Sequence, residues 1–169
     1  MKATTAKDAG NRLSGYASIK NVADAMGDVV LDGAYGDIQE FVRTGFVAVG
    51  HDHSAPPVGF VAEAREDSKG LFVTMEFHST QSAQEAKTVA LERLAAGKQV
   101  GLSIGYLPVD WSFENRGGQR VRLLKAIELK EFSLVSLPAA KGAAVVPTAP
   151  DEDVLGLARA WQQHQGKLD

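Results

Sequence analysis

The sequence predicts a mainly β (α+β) domain, a mostly antiparallel β-barrel flanked by a few helices. Three observations predict it. Apolar and polar residues alternate with period two through most hydrophobic segments. Turn residues separate these segments at short intervals, as in "DSKG" and "ENRGGQ". Only one long stretch, about Ser82 to Ala96, carries helical spacing over several turns.

Taken in order, the polar residues through about Asn11 read as a loose N-terminus. "RLSGYASIK" alternates as a strand. Asp24, Gly27, Asp28, Asp32 and Gly33 then supply turn chemistry around Val29, Val30 and Leu31. "GDIQEFVRTG" fits a short helix, with Ile38, Phe41 and Val42 on one face and Gly45 at its end. "FVAVGHDH" reads as a strand entering a polar loop that holds Pro56 and Pro57. "VGFVAEARED" and "GLFVTMEFH" flank Asp67–Gly70 as a hairpin. In the long helix, Ser82 and Glu85 form a capping-box pattern, Ala86, Val89, Ala90 and Leu94 line one face, and Gly97 suits the C′ position. "QVGLSIGYLP" is the next strand, followed by a hairpin turn at "ENRGGQ" and the strands "RVRLLKAIEL" and "EFSLVSLP". The expected organisation is a domain over 12–138, a flexible linker over 139–150 rich in Ala, Gly and Pro, and an amphipathic helix or tail over 151–169.

Composition narrows the function. The 169 residues are 44% hydrophobic and 23% charged, enough for one domain with a real core. The net charge of −3 comes without a basic block, so neither nucleic acid nor an anionic membrane surface is expected as a partner. There is no cysteine, which excludes disulfides, thiolate metal sites and cysteine nucleophiles. "MKATTAKDAGNR" has no apolar core, so a signal peptide is not expected, and no apolar run reaches spanning length.

Three places carry residues suited to chemistry. In "GLSIG", Gly101, Ser103 and Gly105 share one strand face and Leu102 and Ile104 the other. G-x-S-x-G invites comparison with a nucleophile elbow, but that motif needs a helix after the serine and here the strand continues. A strand serine can be a nucleophile with a base in reach, or it can be structural, with the glycines marking close packing. In "HDH", His51 or His53 could act as a general base, belong to a metal site, or sit in an exposed loop. No third ligand stands at a diagnostic spacing, so neither metal nor cofactor is expected. Glu131 begins an apolar strand; it would pair with Lys130 or Lys125 at the surface, or orient a histidine.

The order of these pieces carries a resemblance. "LSGYASIKNVADAMGDVVLDGAY", "VGHDHSAPPVG", "DSKGLFVTMEF", "LERLAAGKQVGLSIGY" and "ELKEFSLVSLPA" together resemble the prohead (procapsid) maturation proteases of tailed bacteriophages, over roughly Leu13 to Ala140. That family is similar to the herpesvirus assemblins, which implies an assemblin-like barrel and a strand serine as nucleophile. The resemblance implies Ser103 as nucleophile, His51 as general base and Glu131 as third member, with His53 ranked second as base. His53, Asp52 and Glu128 are the next candidates for the third member should Glu131 not fill it. No adjacent arginine pair exists for an oxyanion hole, which leaves backbone N–H groups near Ser103 or in the glycine-bearing loops. The glycines beside Ser103 would then clear space for the His51 ring and a scissile peptide. The implied function is a serine endopeptidase of virion maturation. Its substrates would be the major capsid protein with its scaffolding segment, the scaffold protein, and the protease itself. It would act inside the assembling prohead in the host cytoplasm, with a homo-oligomer as one form it could take. The competing reading is a non-catalytic capsid-assembly component that keeps the fold.

Overall fold

The computed structural model of the chain describes residues 10–146. Their elements run β1 (Arg12–Ile19), β2 (Asp28–Val30), α1 (Ile38–Thr44), β3 (Phe46–Val49), β4 (Gly59–Glu66), β5 (Gly70–Phe77), α2 (Gln81–Ala95), β6 (Gly101–Arg116) and β7 (Gln119–Val135). All seven strands belong to one sheet, in the order β1-β5-β4-β3-β7-β2, with β6 also on β7. The pairs β1·β5, β3·β4, β4·β5 and β6·β7 are antiparallel, while β2 and β3 run parallel to β7. The sheet is a curled half-barrel, so the expected mainly β, mostly antiparallel architecture is what the chain adopts.

Local chemistry accounts for the hairpin between β4 and β5. The Asp67 carboxylate accepts from the N–H groups of Lys69 (2.8 Å) and Gly70 (3.1 Å), and from the Tyr16 hydroxyl (2.6 Å) on β1. This is an aspartate turn tied to a neighbouring strand. These hydrogen bonds, together with the Arg65 charge, outweigh partial desolvation and hold the Asp67 carboxyl below its ordinary pKa.

Three local expectations change. The two predicted strands after the second hairpin are one strand of 17 residues, β7, whose charged residues alternate outward until Lys130. Helix α2 begins at Gln81, so its N-cap is Thr80, which makes no side-chain cap bond; Ser82 lies inside the first turn and the capping box is not formed. The C-terminal prediction for that helix holds, with Gly97 at φ +69° beyond the Ala96 cap.

The third change is the segment expected to be a flexible linker. Ala143, Ala144 and Val145 are buried. Tyr16 N–H donates to Ala144 O (3.0 Å) and Val146 N–H to Ser14 O (2.9 Å) on the β1 side. On the β6 side, Leu102 N–H donates to Ala143 O (3.1 Å) and Val145 N–H to Val100 O (2.9 Å). Residues 143–146 thus strap β1 to the start of β6 across the open side of the half-barrel. Small residues allow it: a Cβ on Gly15 would stand 2.2 Å from Ala144 O. The expected tail over 151–169 lies outside the described residues.

The core lies within the curl. Leu71, Val73 and Met75 of β5 point inward with Leu102 of β6, Leu124 and Phe132 of β7 and Phe41 of α1, all nearly inaccessible to water. Phe41 meets Phe132 edge-on at 6.5 Å, docking α1 where β3 and β7 pair.

Candidate active site

The β6·β7 ladder sets which side chains meet. Ser103 stands opposite Ser133, and Gly105 opposite Glu131. Cross-strand partners share a face, so the Ser103 face also carries Glu131 and Ser133. The other face carries Leu102, Phe132 and Leu134 into the core. On its other edge β7 pairs in parallel with β3, matching Phe46 with Glu131 and Val49 with Leu134. The turn leaving β3 therefore emerges above Glu131 and Ser133.

That turn is "VGHD". Gly50 (φ +61°) and His51 (φ +57°) both take left-handed backbone, and Asp52 N–H closes the turn on Val49 O at 3.1 Å. For histidine this conformation is uncommon and mildly costly. Two bonds to β7 hold it: Gly50 N–H to Leu134 O (2.9 Å) and His51 N–H to Ser133 Oγ (3.1 Å). The turn aims the imidazole at β7, where His51 Nδ1 lies 2.5 Å from Glu131 Oε1. The Ser133 hydroxyl donates to the other carboxylate oxygen, Oε2, at 2.8 Å.

Glu131 is fully buried, so its surface-pair alternative fails. Lys130 pairs instead with Glu128. A buried carboxylate needs a partner on each oxygen, and His51 and Ser133 supply one each. The role of Ser133 was not recognised in the sequence. The available signal was its place two residues after Glu131 on one strand face.

Gly105 has a different purpose from the one expected. A Cβ there would lie 2.1 Å from Glu131 Oε1. A Cβ on Gly101 would lie 2.7 Å from Val135 O and 2.9 Å from a Pro138 ring carbon. Gly105 thus makes room for the carboxylate, and Gly101 for the chain leaving β7.

Ser103 and His51 line one cleft of about 340 Å³ together with Ile104, Tyr106, Ala139 and Ala140. No hydrogen bond joins Ser103 to His51 among the described residues. His53 sits on the same turn, its Nε2 3.5 Å from Glu131 Oε1 and its ring edge-on to Phe46 at 5.8 Å. His78 packs on Phe60, with ring centroids 5.5 Å apart. Asp52 accepts from the Ser54 hydroxyl and N–H, which together hold its carboxyl below the ordinary value.

Asp28 and Tyr106 also line the cleft, and the buried Asp28 carboxylate is held by a partly buried arginine behind it. Arg122 grips Asp28 through Nε (2.7 Å) and Nη2 (2.6 Å), and the Tyr106 hydroxyl donates to Asp28 at 2.6 Å. Burial alone would raise the Asp28 carboxyl; the hydrogen bonds from Arg122 and Tyr106 and the Arg122 charge outweigh it and hold it low. Burial and the Asp28 carboxylate push the Tyr106 phenol up, so it stays a neutral donor.

The chain is similar to known proteins in sequence and in fold. The sequence profile of the family described as "Caudovirus prohead serine protease" matches residues 1–153. The chain is 29% identical over 135 residues to "Prohead protease" of Enterobacteria phage HK97, a match covering 78% of this chain and 57% of that protein. It thus spans little more than half of that relative's length. Among solved structures it is similar to KSHV protease in complex with a hexapeptide phosphonate inhibitor. The TM-score is 0.51 at 16% identity, covering 92% of this chain and 76% of the other. At that identity the likeness is one of fold.

Proposed function

The chain belongs to the caudovirus prohead serine protease family, and on that premise we propose that it is a serine endopeptidase using Ser103, His51 and Glu131. The observation carrying the proposal is the 2.5 Å contact of His51 Nδ1 with the buried Glu131 carboxylate, made beside a cleft that Ser103 also lines.

With Glu131 ionised, Nδ1 of His51 carries the hydrogen and donates it. Nε2 then presents a lone pair, which is the tautomer a general base needs. Ser103 Oγ attacks the scissile carbonyl while Nε2 takes its proton. The imidazolium formed is stabilised by Glu131 and returns the proton to the leaving amine, giving an acyl-enzyme that water hydrolyses. The step needs a hydrogen bond from Ser103 Oγ to His51 Nε2, and catalytic hydrogen bonds of this kind commonly close only when substrate is seated. Ala139 and Ala140 line the cleft, and neither backbone N–H donates to the main chain among the described residues. They are the candidate oxyanion donors.

The substrates in this reading are the major capsid protein with its scaffolding segment, the scaffold protein and the protease itself, cleaved inside the assembling prohead in the host cytoplasm. The test compares processing of the capsid precursor by wild type, Ser103→Ala and Glu131→Gln, with labelling by a serine-reactive phosphonate. Ser103→Ala is expected to fold, to process nothing and to resist labelling. Normal processing by that variant overturns the assignment. Failure of the wild type to process or label would instead support a non-catalytic assembly component.

A further inference from the structure

The arrangement around Glu131 offers more than a catalytic pair. His51 Nδ1, His53 Nε2 and Glu131 Oε1 all lie within 4.8 Å of one another. Two imidazoles and one carboxylate are a donor set that suits zinc and its late first-row neighbours. We infer that these three residues form an inhibitory site for a divalent transition-metal ion, zinc above all. The inference rests on the peptidase reading for its consequence, but the binding site itself does not.

The geometry needs only local adjustment. Donors about 2.1 Å from a tetrahedral ion stand about 3.4 Å apart. The His53 Nε2 to Glu131 Oε1 separation is already 3.5 Å. The His51 Nδ1 to Oε1 separation is 2.5 Å and must open by under an ångström. The carboxylate is anchored through Oε2 by Ser133, so the exposed imidazoles are the parts that move. Side-chain exposure of 37% at His51 and 57% at His53, against none at Glu131, gives the ion a path to a buried anionic ligand. The fourth position is left to water.

Binding would silence the base through its tautomer. The ion takes the Nδ1 lone pair, so the Nδ1 proton leaves to solvent. Nε2 gains a proton from solvent, and the ring stays neutral with its hydrogen on the opposite nitrogen. The nitrogen that must accept the Ser103 proton then has no lone pair to offer. The same ion occupies Glu131, which can no longer stabilise an imidazolium. Chelation restores both.

Two measurements test this, on full-length protein freed of metal. Zinc alone is titrated into Ser103→Ala by calorimetry, with and without His53→Ala. One zinc per chain is expected, weakened at least tenfold by His53→Ala; no binding, or binding indifferent to His53, overturns the site. Peptide cleavage is then followed with and without zinc, each variant scored against its own zinc-free rate. Wild type is expected to slow at least tenfold, to recover with a chelator, and to be desensitised by His53→Ala. Equal sensitivity of His53→Ala refutes the inference while leaving the peptidase reading intact. A wild type that binds zinc through His53 yet cleaves nothing keeps the metal site and refutes the peptidase reading.

Discussion

Gly105→Ala tests the reading of the Ser103 strand at a residue that does no chemistry. Gly105 has no positive φ, so its backbone accepts alanine. The added methyl would sit 2.1 Å from Glu131 Oε1, 2.8 Å from its Cδ and 2.9 Å from its Cγ. Packed carbons do not approach such atoms within 3.0 Å, so Oε1 must retreat by about 0.9 Å or more. Oε1 cannot keep its present place, so the 2.5 Å contact with His51 Nδ1 is displaced with it. A displacement of about 1 Å in a catalytic array costs about a hundredfold in rate. Overpacking should also cost about 1–3 kcal/mol of stability, leaving the variant folded. The assay is kcat/KM on a peptide spanning a capsid-precursor cleavage site, with circular dichroism for folding. A folded variant within threefold of wild type would refute the reasoning, because the carboxylate would then not need its place. Gly101→Ala is the contrast: it meets main chain and Pro138, and should lower stability more than it lowers kcat.

Three further outcomes are expected. Ser133→Ala removes both the acceptor for His51 N–H and the donor to Glu131 Oε2; kcat should fall about ten- to a hundredfold with KM little changed, by the usual effect of losing a supporting partner, and an unaltered kcat would strip Ser133 of its positioning role. Asp28 is held below its ordinary value, so its contribution to stability is full above about pH 4, the unfolded carboxylate range, and fades as pH falls through the folded value. The gap in urea midpoint between wild type and Asp28→Asn should therefore be constant near neutrality and close in acid; a gap unchanged down to pH well below 4 would contradict the ion-pair account. A chain ending at Lys141 loses the strap of residues 143–146 and should unfold at lower temperature than one ending at Val146, whereas equal melting would show that the half-barrel holds without it.

What could be read from the sequence follows how local each cause is. The Asp67–Gly70 hairpin was legible because the aspartate and glycine that make the turn lie within it. So was the C-terminus of α2, where Gly97 alone supplies the left-handed residue. Burial of Glu131 was not legible from its neighbours, since the His51 turn that β3 brings over it lies 80 residues upstream. The small, flexible composition of residues 139–146 suggested a linker, yet small size is what lets main chain pass within reach of Gly15. The Ser82 capping pattern misled because the cap lies two residues earlier, at Thr80. In the candidate cleft, Ser103, His51 and Glu131 stood out from their own strand and loop patterns and the family resemblance gave them roles, while Ser133 and the purpose of Gly105 needed the cross-strand register.

Strand β7 has a consequence for how this protein can vary. It pairs at once with the strand bearing Ser103 and the strand that launches His51, and it carries Glu131 itself. The spacing of the three groups is thus measured by a ladder of main-chain bonds, as by a ruler, and not by loop length. The β6·β7 arm runs on to the Gly117–Gly118 tip. Residues gained or lost in matched pairs at that tip would lengthen or shorten the arm while Ser103 still faced Ser133. A single residue gained within β7 between Arg122 and Glu131 would turn the acid to the wrong side of the sheet unless a bulge absorbed it. Relatives should therefore differ freely in the reach of this arm and hardly at all in the count of residues from its base to the acid.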